Sequence, residues 1–489
     1  YLENPDVTLL SFDSKHLRHL AERHHICLRC HVFDAMIADY LLNAIRPSGS
    51  LRVLCQQRLS AERADAAALF LLHQPMLHEL AKLDMQSLYT DMELPLSKVL
   101  YDMEREGFLV DESILCELQT QFGTRASALA AEIYRHAGKE FNILSPKQLG
   151  EILFGELGLK GQRKTKTGYS TDADTLEALS DEHPIVPLVL EYRFITKLKS
   201  TFVDGLLSLK SADGRVRSQF NQCVTATGRI SSTEPNLQNI PVRSAQGREI
   251  RKAFVASSGN LLVGADYSQI ELRILAHISG DDNMIAAFHS DADFHSIAAS
   301  EVFGVPLDAV SAELRGAAKA VNFGIVYGIS DFGLAKNLGI PVKKAADYIR
   351  LYFARYPGVK NYLDESVASA KTNGYAVTLF GRRRMMPELT SGNFNTRSFG
   401  ERVAMNMPIQ GTAADIIKLA MVRVGTALEE QGLKARLILQ VHDELIFDTP
   451  AMEADQVSSI VRDCMQNVIT LRVPLLADVR SGRSWYETK

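Results

Sequence analysis

The chain has 489 residues, 46% of them hydrophobic and 23% charged, an ordinary globular balance that excludes disordered, collagen-like and fibrous classes and points to several domains rather than one. Its 58 acidic and 54 basic residues leave a formal net charge of -4, so no basic footprint covers the molecule and any nucleic-acid surface has to be local. No apolar run is long enough to span a bilayer and no charged leader precedes an apolar signal core, so a soluble, intracellular protein is expected.

Residues 1–90 carry apolar-periodic helices over 33–43 and 61–80 joined by short turns, and read as an α/β remnant. Cys27 and Cys30 form a C-x-x-C flanked by histidines. Zinc would want a second ligand pair at fixed spacing, and none follows, so both cysteines are expected to pack on a buried strand. The six cysteines are sparse and scattered, as in a reducing compartment. The start at Tyr1 rather than Met marks a fragment or an upstream trimming.

Pro95 opens an amphipathic helix through Glu104, and residues 107–111 read as a short strand followed by a helix cap. Residues 113–209 are mostly long helices, interrupted at 161–168 by a basic loop without apolar residues, which suits either phosphate contact or a solvated turn. Beyond Asp213 strands and helices mix. Residues 261–265 read as a buried strand ending at Asp266. Residues 437–441 and 445–447 read as two strands around a tight turn at His442, Asp443 and Glu444. Between them, residues 280–375 are helical, as in a helical insertion into a sheet-based domain.

Asp266 and Asp443 each stand where an apolar strand ends, so adjacent strands could bring them together. Two close carboxylates repel unless a cation sits between them, and magnesium favours a few carboxylate oxygens with waters and phosphates. Taken singly, either aspartate reads as a cap or turn residue. A third motif changes the balance: Arg315, Lys319, Phe323 and Tyr327 recur every fourth residue and form one stripe on a helix, two cations followed by two aromatics. A triphosphate along that helix would meet the cations, and a sugar and base pair the rings.

With these three motifs in this order, the chain resembles family A DNA polymerases from about residue 95 to its end. The resemblance implies an α/β multidomain, right-hand architecture: thumb and connecting helices over 94–215, palm over 216–280 and 386–489, and fingers over 281–385. Residues 1–93 resemble part of an RNase H-like 3′–5′ exonuclease domain. The implied activity is template-directed DNA synthesis by two-metal-ion nucleotidyl transfer, with two Mg2+ ions, or Mn2+ in their place, on Asp266, Asp443 and the Tyr267 carbonyl and with Glu444 in support. The implied partners are primer-template DNA and dNTPs, and the implied setting is a monomer at the bacterial nucleoid or in an organelle, in repair and gap filling.

The resemblance also implies that Glu271 and Phe323 bracket the sugar and exclude a 2′-hydroxyl, and that His295 joins Arg315 and Lys319 on the triphosphate unless it only caps a helix. Tyr327 then guards the template base. Thr225, Arg229, Asn236, Gln238 and Asn239 would track the duplex, while Arg402, Asn406, Gln410 and His442 would contact the minor groove and primer end, where donors check pair shape without reading sequence. Residues Arg382, Arg383 and Arg384 would contact phosphate, form salt bridges or line a solvated turn. No Asp-x-Glu pair occurs before Ser60, and Leu59 and Arg63 stand near where Tyr and Asp are expected, so no proofreading is expected, nor is 5′-nuclease activity expected of these residues. A single-subunit RNA polymerase shares the palm logic, but Glu271 and Phe323 would obstruct a ribose. A non-catalytic primer-template binding module would not need Asp266, Asp443, Arg315 and Lys319.

Overall fold

The computed structural model describes the chain except residues 63, 161–163, 166–167, 243 and 291, with the backbone alone for 164 and 165. Its organising element is an antiparallel four-stranded sheet made of β1 (Asn260–Tyr267), β2 (Arg436–Val441), β3 (Glu444–Pro450) and β4 (Ala477–Gly482), in the order β2-β3-β1-β4. The central strands β1 and β3 are apolar along most of their length because the sheet is covered by helices, among them Ala454–Gln466 against β1 and β4 and Leu94–Glu106 against β2. Gly264 in β1 permits this packing: a Cβ there would lie 2.7 Å from the Thr488 side chain.

The expected helical insertion is present as Asp282–His289, Phe294–Phe303, Ala312–Val326, Asp331–Leu338, Val342–Arg355 and Pro357–Asn373. Asp281, Asp293, Ser311 and Ser330 start four of these helices by accepting a first-turn backbone N–H. One core runs from Leu96 to Trp485 through sheet and insertion, a second holds residues 133–189, and a third holds residues 33–92. The 37-residue helix Phe394–Glu430 meets both the insertion and the helix Leu94–Glu106.

Residues 1–93 are indeed mixed: Thr8–Ser11 pairs in parallel with His31–Asp34. The helix expected over 33–43 starts only at Ala35, because Asp34 ends the strand and caps the helix, accepting from Ile37 N at 3.0 Å. The helix expected over 61–80 is Ala66–Lys82, set by the Asp65 cap. Cys30 is buried just before the strand, whereas Cys27 is exposed on a loop and does not pack as expected. The phosphate contact considered for the loop 161–168 and the Arg63 comparison fall largely outside the described residues.

The arginines at 382–384 do not form a solvated turn. Arg382 and Arg384 are buried; Arg382 bridges Asp415 at 2.8 Å and Glu93, Arg384 bridges Glu388 at 3.0 Å, and Arg383 donates to the Leu83 carbonyl at 3.1 Å. Burial of so strong a base requires paired carboxylates; those of Arg382 come from distant chain segments, whereas Arg384 finds Glu388 four residues on.

Candidate active site

The pairing of β3 with β1 sets Glu444 opposite Asp266, and Tyr267 N donates to the Asp443 carbonyl at 3.1 Å. The turn between β2 and β3 places His442 at φ +52°, a left-handed conformation uncommon for a residue with a Cβ. Asp266 and Asp443 therefore meet at one end of the sheet, as their positions at strand ends predict. Burial first, and then the Glu271 and Asp266 carboxylates, push Asp443 up to about 7, with the Arg229 guanidinium opposing. Burial likewise raises Glu444, whose Oε1 accepts from Trp485 Nε1 at 3.3 Å.

Such a cluster calls for a cation, and the chain supplies one: Lys489 Nζ lies 2.9 Å from Asp266 Oδ2 and 3.2 Å from Glu444 Oε2. Among the described residues no three His, Cys, Asp or Glu side chains form a closed metal cage. A carboxylate pair that leaves the remaining positions to water and phosphate oxygens fits magnesium better than it fits a metal held by protein alone.

On the helix Ala312–Val326 the stripe lies as its spacing predicts. Arg315 and Lys319 are exposed, Phe323 is half-buried and Tyr327 is 42% exposed, while Ala318, Val321 and Ile325 face the core. Arg315 makes a bidentate pair with Asp293 at 2.9 and 3.0 Å. His295 is buried, and burial together with Lys319 and Arg315 lowers it to about 4 against the pull of Asp293. The Asn322 amide donates to its Nδ1 at 3.0 Å, so the neutral ring carries its proton on Nε2 and offers a donor. The Phe323 ring stands 5.8 Å from the His295 ring and 6.0 Å from Lys319 Nζ.

Glu271 joins the two halves of the site. It is buried in the first turn of the helix Ile270–Ser279, Arg229 Nη2 donates to its Oε1 at 2.6 Å, and the Tyr327 hydroxyl donates to its Oε2 at 3.0 Å. Burial and the Glu271 carboxylate raise the Tyr327 pKa, with Arg229 and the Gln410 side chain opposing. Arg402 lines one cleft with Lys319, Phe323 and Tyr327, and donates to Ser398 Oγ at 3.2 Å.

Gln238 Nε2 reaches Gln440 Oε1 at 3.2 Å, and Gln440 Nε2 donates to the His442 carbonyl at 2.6 Å, so Gln238 and His442 belong to this surface. Thr225 Oγ1 donates to the Arg229 carbonyl at 2.7 Å. Asn406 Oδ1 is buried and finds no hydrogen-bond partner among the described residues. Asn236 accepts from Ser232 and Asn239 is exposed on a short helix; among the described residues no hydrogen bond joins either to the carboxylates. Lys489, Trp485 and Arg251 escape a reading by motif. Arg251 stacks on Trp485 at 4.0 Å within electrostatic reach of Glu444 and Asp266, and its one sequence signal is that Trp485 is the single tryptophan.

Comparison with known proteins gives a consistent picture. Residues 112–487 match the model of DNA polymerase family A. The chain is 49% identical over 466 residues to DNA polymerase I of Caldicellulosiruptor bescii, covering 93% of this chain and 55% of that one. It is 47% identical over 506 residues to DNA polymerase I of Geobacillus stearothermophilus, covering 98% and 58%. The chain thus spans a little over half the length of these curated relatives. A solved structure, the POL domain of Pol1 from M. smegmatis in complex with DNA primer-template and dNTP, superposes with a TM-score of 0.94 at 43% identity, covering 100% of this chain and 88% of that one.

Proposed function

Since the chain belongs to DNA polymerase family A, we propose that it catalyses template-directed DNA synthesis, extending a primer 3′-hydroxyl with dNTPs in repair and replication gap filling. The observation that carries this reading is the meeting of Asp266 and Asp443 at one sheet end, facing a cationic and aromatic helix stripe through Glu271. In this reading residues 216–280 and 386–489 are the palm, 281–385 the fingers and 94–215 the thumb with its connecting helices.

Asp266, Asp443 and the Tyr267 carbonyl would hold divalent cations, for which we propose magnesium, supplying positive charge for the attacking hydroxyl and the departing pyrophosphate. Arg315, Lys319 and the Nε2–H of His295 bind the triphosphate as a point-charge and hydrogen-bonding cradle. Phe323 and the clamped Glu271 enclose the sugar from two sides, and Glu271 leaves no room for a 2′-hydroxyl. Tyr327 covers the template base. Arg229, Gln238, Arg402, Asn406, Gln410 and His442 face the duplex and primer end; Thr225, Asn236 and Asn239 support the same strand path. The protein acts as a monomer at the bacterial nucleoid; no helix among the described residues is long and apolar enough to cross a membrane.

Residues 1–93 act as scaffold without proofreading. Asp34 is engaged as a helix cap, accepting from Ser14 N at 2.7 Å and Ile37 N at 3.0 Å, and Asp39 accepts from Ser48 N at 2.8 Å. Primer extension with dNTPs or rNTPs on wild type and Asp443→Ala tests the whole reading. Extension by dNTPs that Asp443→Ala abolishes is expected; ribonucleotide preference or no extension would overturn it.

A further inference from the structure

The turn that carries Arg229 is held from the N-terminal region. It lies in the connection between two short antiparallel strands, Gln219–Asn221 and Ser231–Thr233. The Thr225 carbonyl closes the turn by accepting from Gly228 N at 3.3 Å, and the same oxygen accepts from the Tyr40 hydroxyl at 2.6 Å. Tyr40 is fully buried in the core of residues 33–92, and Cys223, two residues before Thr225, packs against that core. Beyond the turn, Thr225 Oγ1 donates to the Arg229 carbonyl, and Arg229 reaches Glu271.

A second support meets the turn from the other side. Gly228 adopts φ +90°, and a Cβ on it would come within 2.6 Å of Arg382 Nε. Arg382 stacks over the Tyr40 ring at 5.9 Å and is itself fixed by Asp415 and Glu93. The helix Phe394–Glu430 closes the third side, where a Cβ on Gly411 would lie 3.2 Å from the Thr227 carbonyl. The turn is thus held at three points, the Thr225 carbonyl, Gly228 and Thr227, while Val224 faces solvent.

We propose that Tyr40 is a positioning residue for sugar selection: by bonding the Thr225 carbonyl it fixes Arg229 against Glu271 and so sets how well the site refuses a 2′-hydroxyl. The N-terminal region then contributes to substrate specificity with no nuclease chemistry of its own. Glu271 is anchored at one oxygen by Arg229 and at the other by Tyr327; with the Arg229 anchor displaced, its carboxylate swings on the Tyr327 bond alone and opens space beside the sugar. This inference rests on the polymerase reading above.

The test is the ratio of kcat/KM for dNTP to that for the matching rNTP, measured in single-nucleotide primer extension by the full chain, for wild type, Tyr40→Phe, Gly228→Ala and Arg229→Ala. Tyr40→Phe keeps the ring over Arg382 and removes only the donor. It is expected to lower the ratio roughly threefold to tenfold, the range one net hydrogen bond can move, with kcat for the correct dNTP within about twofold of wild type. Gly228→Ala is expected to lower the ratio by the same route from the opposite side. A merely structural role would lower the unfolding midpoint and leave the ratio where it was. An unchanged ratio in both Tyr40→Phe and Gly228→Ala, beside a lowered one in Arg229→Ala, overturns the role of Tyr40 and leaves the polymerase reading intact. Absence of any extension by wild type overturns both.

Discussion

Lys489 Nζ stands 2.9 Å from Asp266 Oδ2, so an ammonium occupies the position where the carboxylate cluster most needs positive charge. A divalent cation approaching Asp266 has to displace it. Both partners are more than a third exposed, so the pair contributes about 1 kcal/mol at most. Lys489→Gln is expected to tighten Mn2+ binding to the free protein by roughly fivefold, since about 1.4 kcal/mol is tenfold in affinity. Isothermal titration calorimetry without DNA reads this directly, and equal or weaker binding in the variant would remove Lys489 from the competition.

The sugar enclosure gives a pair of opposite tests. Glu271→Ala should lower discrimination against rNTPs by at least about tenfold, because it deletes the group proposed to fill the space a 2′-hydroxyl would need. Phe323→Tyr should ease incorporation of dideoxynucleotides, by returning a hydroxyl near the missing 3′-OH. Steady-state incorporation assays check both, and unchanged dideoxy selectivity in Phe323→Tyr would count against the proposed sugar contact.

Glu93 lends a measurable pH dependence. Burial alone would raise its pKa, but Lys418 and Arg382 outweigh burial and hold it at about 2. The folded value lies below the ordinary one of 4.5, so ionised Glu93 contributes stability that is complete above about pH 4.5 and is lost as pH falls toward 2. Urea unfolding of Glu93→Gln should show a lower midpoint at pH 7 than wild type, because Arg382 and Lys418 lose their shared anion, and a flatter decline between pH 5 and 3. Parallel declines for the two proteins would assign the acid sensitivity to other groups.

Exonuclease assays on a mismatched primer end should release no mononucleotides above background. Release that Asp34→Ala or Asp39→Ala abolishes would make those carboxylates metal ligands rather than the cap and loop anchor they form here.

The local part of the site is legible in the sequence. Asp266 and Asp443 stand out because an apolar strand breaks at a carboxylate, and Arg315, Lys319, Phe323 and Tyr327 because their four-residue spacing nearly matches a helical turn. The helix starts in the insertion, at Asp281, Asp293, Ser311 and Ser330, come from the structure. What stays hidden depends on distant segments meeting. Arg382 reads as part of a basic run until Glu93, 289 positions earlier, and Asp415 appear beside it. Lys489 gains its meaning only from the β1–β3 register, and Tyr40 only from a bond to a carbonyl 185 positions away. Helix boundaries near residues 35 and 66 shift for a simpler reason: a capping aspartate, not hydrophobic periodicity, decides where each helix begins.

The two kinds of charge in this molecule should answer differently to salt. In the proposed reading the exposed cations Lys319 and Arg315 attract the dNTP triphosphate through solvent, so that attraction weakens as ionic strength rises. Glu93, Arg382, Asp415 and Lys418 are buried and escape that screening. High salt is therefore expected to weaken nucleotide binding while leaving the joint between Glu93 and the helix Phe394–Glu430 intact, so the proposed substrate can leave without loosening the frame proposed to align Arg229.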